Sequence, residues 1–133
     1  MTATDDSDFS DDEELVTQFV EWTGEAVVEI RTIVDTMDEK TLRSSASIDR
    51  FYDLSHNIKG MGSSFNFDLM TDVGTSACVY LKNMAGDALV SKRVLDAHAR
   101  IYEVVLAHRI TGDGGEKGAA LSQRLQGIIA EEA

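Results

Sequence analysis

The chain has 133 residues, 43% of them apolar, which suffices for one domain with a real core. Its formal net charge of −12 argues against binding to nucleic acid or anionic lipid. Cys78 is the single cysteine, which rules out an internal disulfide and fits a reducing compartment, and no apolar run reaches the roughly 18 residues of a membrane span.

Seven acids (Asp5, Asp6, Asp8, Asp11, Asp12, Glu13 and Glu14) lie in the first 14 residues, which hold no Lys or Arg; without these seven the net charge falls from −12 to −5. Residues 1–10 therefore read as an acidic, solubilising, flexible tail. No basic region followed by an apolar stretch is present there, so no secretory signal is expected and the expected location is cytoplasmic. Ser10 and Glu13 have capping-box spacing and predict a helix from Asp11. Leu15, Phe19, Val20, Val27, Ile30, Val34 and Met37 carry its apolar face to about Asp38, and Gly24 marks a place for a bend. Residues 40–47 read as a connection, with Ser45 or Ser47 as the next N-cap. The second helix runs to about Phe65, where Asn66 suits a left-handed terminal position. Asp68 caps a third helix carrying Leu69, Val73, Ala77, Val79 or Tyr80, and Leu81, ended by Gly86-Asp87. A fourth covers about 88–110 through Val90, Val94, Ile101 and Val105. Thr111 to Gly118 holds four glycines and reads as a flexible loop before a short last helix over 119–131. No strand pattern competes, and the chain has no proline. The expectation is an all-α fold: an antiparallel up-and-down four-helix bundle over 11–110, then a glycine-rich loop and C-terminal helix over 111–133.

The second helix holds the candidate site. With residues about 100° apart on a helical wheel, Phe51, Leu54, Ile58, Met61 and Phe65 form one apolar stripe. His56 falls roughly 180° from its centre, and so points to solvent. An exposed imidazole is substantially neutral near pH 7, and then nucleophilic. Helix side chains lean over the preceding turn, so Lys59 leans towards His56 and can pair with an anion carried by the ring. A bulky residue at position 60 would lean the same way; Gly60 leaves the ring open. Each helical glycine costs about 1 kcal/mol relative to alanine, so Gly60 and Gly62 need compensating reasons. Gly62, nearer the apolar stripe, reads as a close-packing position. Ser63 projects from the His56 face, and Tyr52 lies one turn before it as a candidate interface anchor. Asp53 and His56 have the i, i+3 spacing of half a carboxylate-bundle metal site, but no second half exists, so no metal is expected. His98, central on the apolar face of its helix, and His108, at the edge, read as partly buried packing residues. No glycine-rich phosphate loop or Walker-type lysine appears, and the length leaves no room for an ATP-binding domain.

The run His56-Asn57-Ile58-Lys59-Gly60-Met61-Gly62-Ser63-Ser64-Phe65 resembles the phosphorylation motif of histidine phosphotransfer (HPt) domains of bacterial two-component phosphorelays. About ten residues around His56 are distinctive, and Leu15 to His108 is compatible with the family in helix order. Asn66 stands where a glycine is common, Met61 replaces a residue that is often small, and Cys78 falls near the place of a polar residue often close to the imidazole. The resemblance implies a four-helix bundle and a phosphocarrier rather than an enzyme. His56 would be the phosphorylated nucleophile, accepting from a receiver-domain phospho-aspartate or a kinase and donating to another receiver. Lys59 would neutralise phosphoryl charge, Gly60 give steric access and Ser63 donate a hydrogen bond. Implied partners are response-regulator receiver domains, covering Tyr52, Asp53, Gly60 and Ser63, and a sensor or hybrid histidine kinase. No cofactor is implied for this chain, since Mg²⁺ would belong to the receiver. The competing expectation is a non-phosphorylated helical adaptor that keeps the docking face alone.

Overall fold

The structure, a computed structural model, describes residues 12–133. The expected tail and the Ser10 cap lie outside those residues. Helix α1 spans Glu13–Thr36, with the Asp12 carboxylate accepting from Leu15 N at 3.1 Å. Asp12 therefore takes the N-cap role expected of Ser10, and α1 begins two residues later than predicted. Glu13 and Glu14 then sit in the first turn, where the helix dipole favours negative charge. The helix continues through Gly24 and ends before Met37, whose backbone is extended.

The sequence conceals a two-stranded antiparallel ribbon. Strand β1 (Lys40–Leu42) pairs with β2 (Leu89–Ser91), with Thr41 opposite Val90. The predicted connection at 40–47 and the predicted start of the fourth helix at 88 are both corrected by this pairing. Ser91 ends β2 and caps α4 (Lys92–His108), its hydroxyl accepting from Val94 N at 3.3 Å.

Helix α2 spans Ala46–Met61, with Ser45 at its N-cap, and a 3₁₀ turn over Ser63–Phe65 completes the segment expected to be one helix. Asn66 adopts the expected left-handed conformation, with φ of 64°. Helix α3 (Asp68–Lys82) begins at Asp68, so Phe67 rather than Asp68 occupies the cap. It ends before Gly86-Asp87, which lies in the turn leading to β2. Tyr80, not Val79, turns inward: Val79 is exposed, and the Tyr80 hydroxyl accepts from Ser91 N.

Helix α5 spans Gly115–Glu131, four residues longer at its start than predicted. The glycine-rich loop shrinks accordingly. Gly112, Gly114 and Gly115 take positive φ in the turn, and Asp113 accepts from Gly115 N. Gly118 is buried inside the helix; an added Cβ there would overlap the Asp113 carbonyl.

Helix α1 packs on α2 and α4, α3 packs on α2 and α4, and α5 lies against α4 and α3. The enclosed core holds Phe51, Phe67, Leu69, Met70, Leu81, Leu95 and Tyr102, all essentially without solvent exposure. The i, i+3, i+4 burial pattern of each helix supplies these faces. Leu125 is the buried large apolar residue of α5, so that helix pads the core more than it builds it. Arg31 staples α1 to α4, with Nε and Nη2 donating to the two Glu103 carboxylate oxygens at 3.0 and 2.7 Å and Nη1 to Asp96 at 2.6 Å. Among the described residues, no helix is long and apolar enough to cross a membrane.

Candidate functional site

Helix α2 buries Ile48, Phe51, Leu54, Ser55 and Ile58 and leaves His56 exposed on the opposite side. The inward neighbour Ser55 is fixed by Tyr102, whose buried hydroxyl donates to Ser55 Oγ at 3.1 Å. The His56 imidazole makes no hydrogen bond among the described residues; its contact is a stack on Tyr52, ring centroids 6.1 Å apart and planes 25° apart. Tyr52 is half-buried, with the Arg43 guanidinium 5.6 Å from its ring centroid.

The two motif glycines differ. A Cβ built on Gly62 would meet Thr71 Oγ1 at 2.6 Å and the Phe67 carbonyl oxygen and Thr71 nitrogen at 2.9 Å. Gly62 is thus required where the chain doubles back into α3, as its place near the apolar stripe suggested. A Cβ on Gly60 would meet nothing within 4 Å. The space one turn beyond His56 is open solvent.

Lys59 is half-buried at its stem and makes no ion pair among the described residues. Its backbone lies against Gly74 of α3, where an added Cβ would come within 2.9 Å of Lys59 Cβ and of the Ser55 carbonyl oxygen. Burial pushes the Cys78 thiol up, opposed by the positive charges of Lys59 and Lys82. Cys78 is buried, not displayed beside the imidazole. Ser63 is exposed in the 3₁₀ turn beyond the end of α2, and its amide donates to Thr71 Oγ1 at 2.9 Å. The same Thr71 hydroxyl donates to the Lys59 carbonyl at 3.1 Å. Asp53 is exposed and its charge acts on Arg50, which pairs with Glu29 of α1.

The structure thus brings Tyr52 onto His56 and sets Asp53, Lys59 and Gly60 within a turn of it. Ser63 stands beyond the helix break. Sequence reasoning missed Arg43, Thr71 and Gly74. Gly74 carried a signal, a glycine costly to a helix interior; Arg43 and Thr71 carried none, because their partners are remote in sequence.

The other histidines divide. His98 is fully buried, its Nδ1–H donating to the Val94 carbonyl at 2.8 Å and its Nε2 accepting from Ser76 Oγ at 3.0 Å. Burial lowers it to about 4, so it is a neutral packing residue. His108 is exposed, not partly buried as expected, because α4 ends there. No group of three His, Cys, Asp or Glu side chains arranged to hold a metal exists among the described residues. A cleft of about 440 Å³ lies between α4 and α5, and His56 is not among the residues that line it. His56 instead lies on the exposed outer face of α2. Set against models of known families, curated proteins and solved structures, the chain matches none.

Proposed function

We propose that this chain is a phosphocarrier of the histidine phosphotransfer type, with α1–α4 as its four-helix bundle and His56 as the phosphoryl acceptor. The observation that carries the reading is an imidazole displayed opposite the core, without a hydrogen-bond partner among the described residues and next to the open space at Gly60. The proposed donor is the phospho-aspartate of a response-regulator receiver domain, or a sensor or hybrid histidine kinase. The Nε2 lone pair forms the N–P bond as the P–O bond to the aspartyl carboxylate breaks. The carboxylate leaves with that electron pair, and the Nδ1 proton stays on the ring or passes to water. The reverse step loads a second receiver.

Positioning and charge neutralisation supply most of such catalysis. The Lys59 ammonium, without a carboxylate partner among the described residues, neutralises part of the phosphoryl charge, and Ser63 offers a hydroxyl at the edge of the site. Tyr52, Asp53 and Gly60 form the proposed receiver-facing surface. Mg²⁺ and the acidic pocket belong to the receiver, and the proposed place of action is the cytoplasm. The test is incubation with phosphorylated receivers. Label is expected on the wild type and not on His56→Gln. If no competent receiver or kinase labels the wild type while receivers still bind it, the chain is an adaptor and the proposal is wrong.

A further inference from the structure

Tyr52 is more than a surface aromatic awaiting a partner. Its ring stacks with the His56 ring, centroids 6.1 Å apart and planes 25° apart, and the Arg43 guanidinium lies over it, 5.6 Å from its centroid. Arg43 is itself fixed. Its side chain is only 15% exposed, its Nε donates to the Leu81 carbonyl at 2.9 Å, and its Nη1 donates to Asp49 at 2.8 Å. A ladder therefore runs from the end of α3, through a guanidinium set by the β1–α2 connection, through a phenol ring, to the imidazole. We propose that this ladder holds the plane of the His56 ring for transfer, making Tyr52 a positioning residue backed by Arg43.

The chemistry explains why a stack suits this task. The lone pair that attacks phosphorus lies in the plane of the imidazole. A partner on the ring face leaves that edge free, whereas a hydrogen-bond acceptor or donor on the nitrogens would engage the edge itself. An exposed side chain otherwise samples several staggered rotamers, of which few aim the lone pair along the in-line path. The stack selects among them while leaving the nitrogen open. The phenol oxygen plays no part in the stack, so phenylalanine should serve as well as tyrosine.

The inference rests on His56 being the phosphoryl acceptor, so the experiment separates the two ideas. Phosphoramidate, a small donor that needs no docking surface, is used beside a phosphorylated receiver. Transfer to wild type, Tyr52→Phe and Tyr52→Leu is followed by phosphohistidine formation, and the His56 ring protons by NMR. Tyr52→Leu is expected to slow labelling by phosphoramidate roughly three- to ten-fold, the fraction of rotamers lost. It should also remove the upfield ring-current shift of the His56 protons. Tyr52→Phe should restore both. Wild-type rates for Tyr52→Leu with phosphoramidate, or a loss confined to the KM for the receiver, would overturn the positioning role while leaving His56 as the acceptor. A wild type that takes label from neither donor would overturn the acceptor reading and this inference with it.

Discussion

Replacing Gly74 with alanine adds one carbon where α3 lies against α2. That carbon would come 2.9 Å from Lys59 Cβ, 2.9 Å from the Ser55 carbonyl oxygen and 3.0 Å from Lys59 Cα. None of these is the far end of a flexible side chain, so the two helices must part locally. Overpacking of this kind costs about 1–3 kcal/mol. Removing a helix-interior glycine returns about 0.5–1 kcal/mol, which leaves a net loss between about zero and 2.5 kcal/mol. For a chain of 133 residues that is a fall in Tm of at most about 9 °C. Gly60→Ala is the internal control. Nothing lies within 4 Å of the added carbon. Only the propensity gain remains, so this variant should be more stable than the wild type by about 0.5–1 kcal/mol. Urea unfolding followed by far-UV circular dichroism measures both, with m unchanged if the folded state keeps its compactness. A Gly74→Ala variant more stable than wild type by the propensity gain alone would refute the close approach of α3 to α2. A destabilised Gly60→Ala would refute the open space beside His56. Gly60→Gln carries the argument to function. Its side chain leans over the preceding turn onto His56, so receiver-dependent labelling should fall roughly ten-fold or more without loss of stability.

Three further outcomes follow from the packing. The bidentate Arg31–Glu103 pair is partly exposed, at 25% and 39%, so a double-mutant cycle should give a coupling of about 1 kcal/mol that shrinks at high salt. Burial holds His98 at about 4 against an ordinary 6.5, so below pH 6.5 the unfolded chain binds a proton that the folded chain refuses. Stability should therefore decline by about 3 kcal/mol as pH falls from 6.5 to 4, and His98→Gln should flatten that part of the profile. Thr71→Val removes the acceptor for Ser63 N and the donor to the Lys59 carbonyl, which should cost about 1–2 kcal/mol and speed amide exchange at Ser63.

Much of the helical fold was legible because burial follows the 3.6-residue period over long segments. Phe51, Leu54 and Ile58 lie inward and His56 outward as the wheel requires, and His98 lies at the centre of its buried face. The β ribbon was not legible. Three residues are too few for an alternation to register, and Lys40–Leu42 meets Leu89–Ser91 across nearly fifty intervening residues. The start of α5 was misjudged for a different reason. Glycine propensity argues against a helix at Gly115 and Gly118, but the buried Gly118 fits against the Asp113 carbonyl where a side chain would not. His108 was misjudged because a wheel assumes the helix continues; at the last residue of α4, an edge position faces water.

The motif around His56 can be divided by asking which of its costs the fold itself requires. Gly62 is accounted for by the turn into α3, and the backbone of Lys59 by its contact with Gly74. Gly60 has no such account: an alanine would fit, and the helix would gain by it. The Lys59 ammonium likewise stabilises no carboxylate among the described residues, although its backbone is clamped in place. The Tyr52 ring packs against the core and also carries the Arg43–His56 ladder, so the fold accounts for part of it. The bare Gly60 and the Lys59 ammonium are indifferent or mildly unfavourable for the free chain. Each is useful if a bulky anion-bearing partner must approach one imidazole edge. The strongest ground for treating His56 as the reacting group is therefore this mismatch between what α2 needs in order to fold and what it keeps on its outer face.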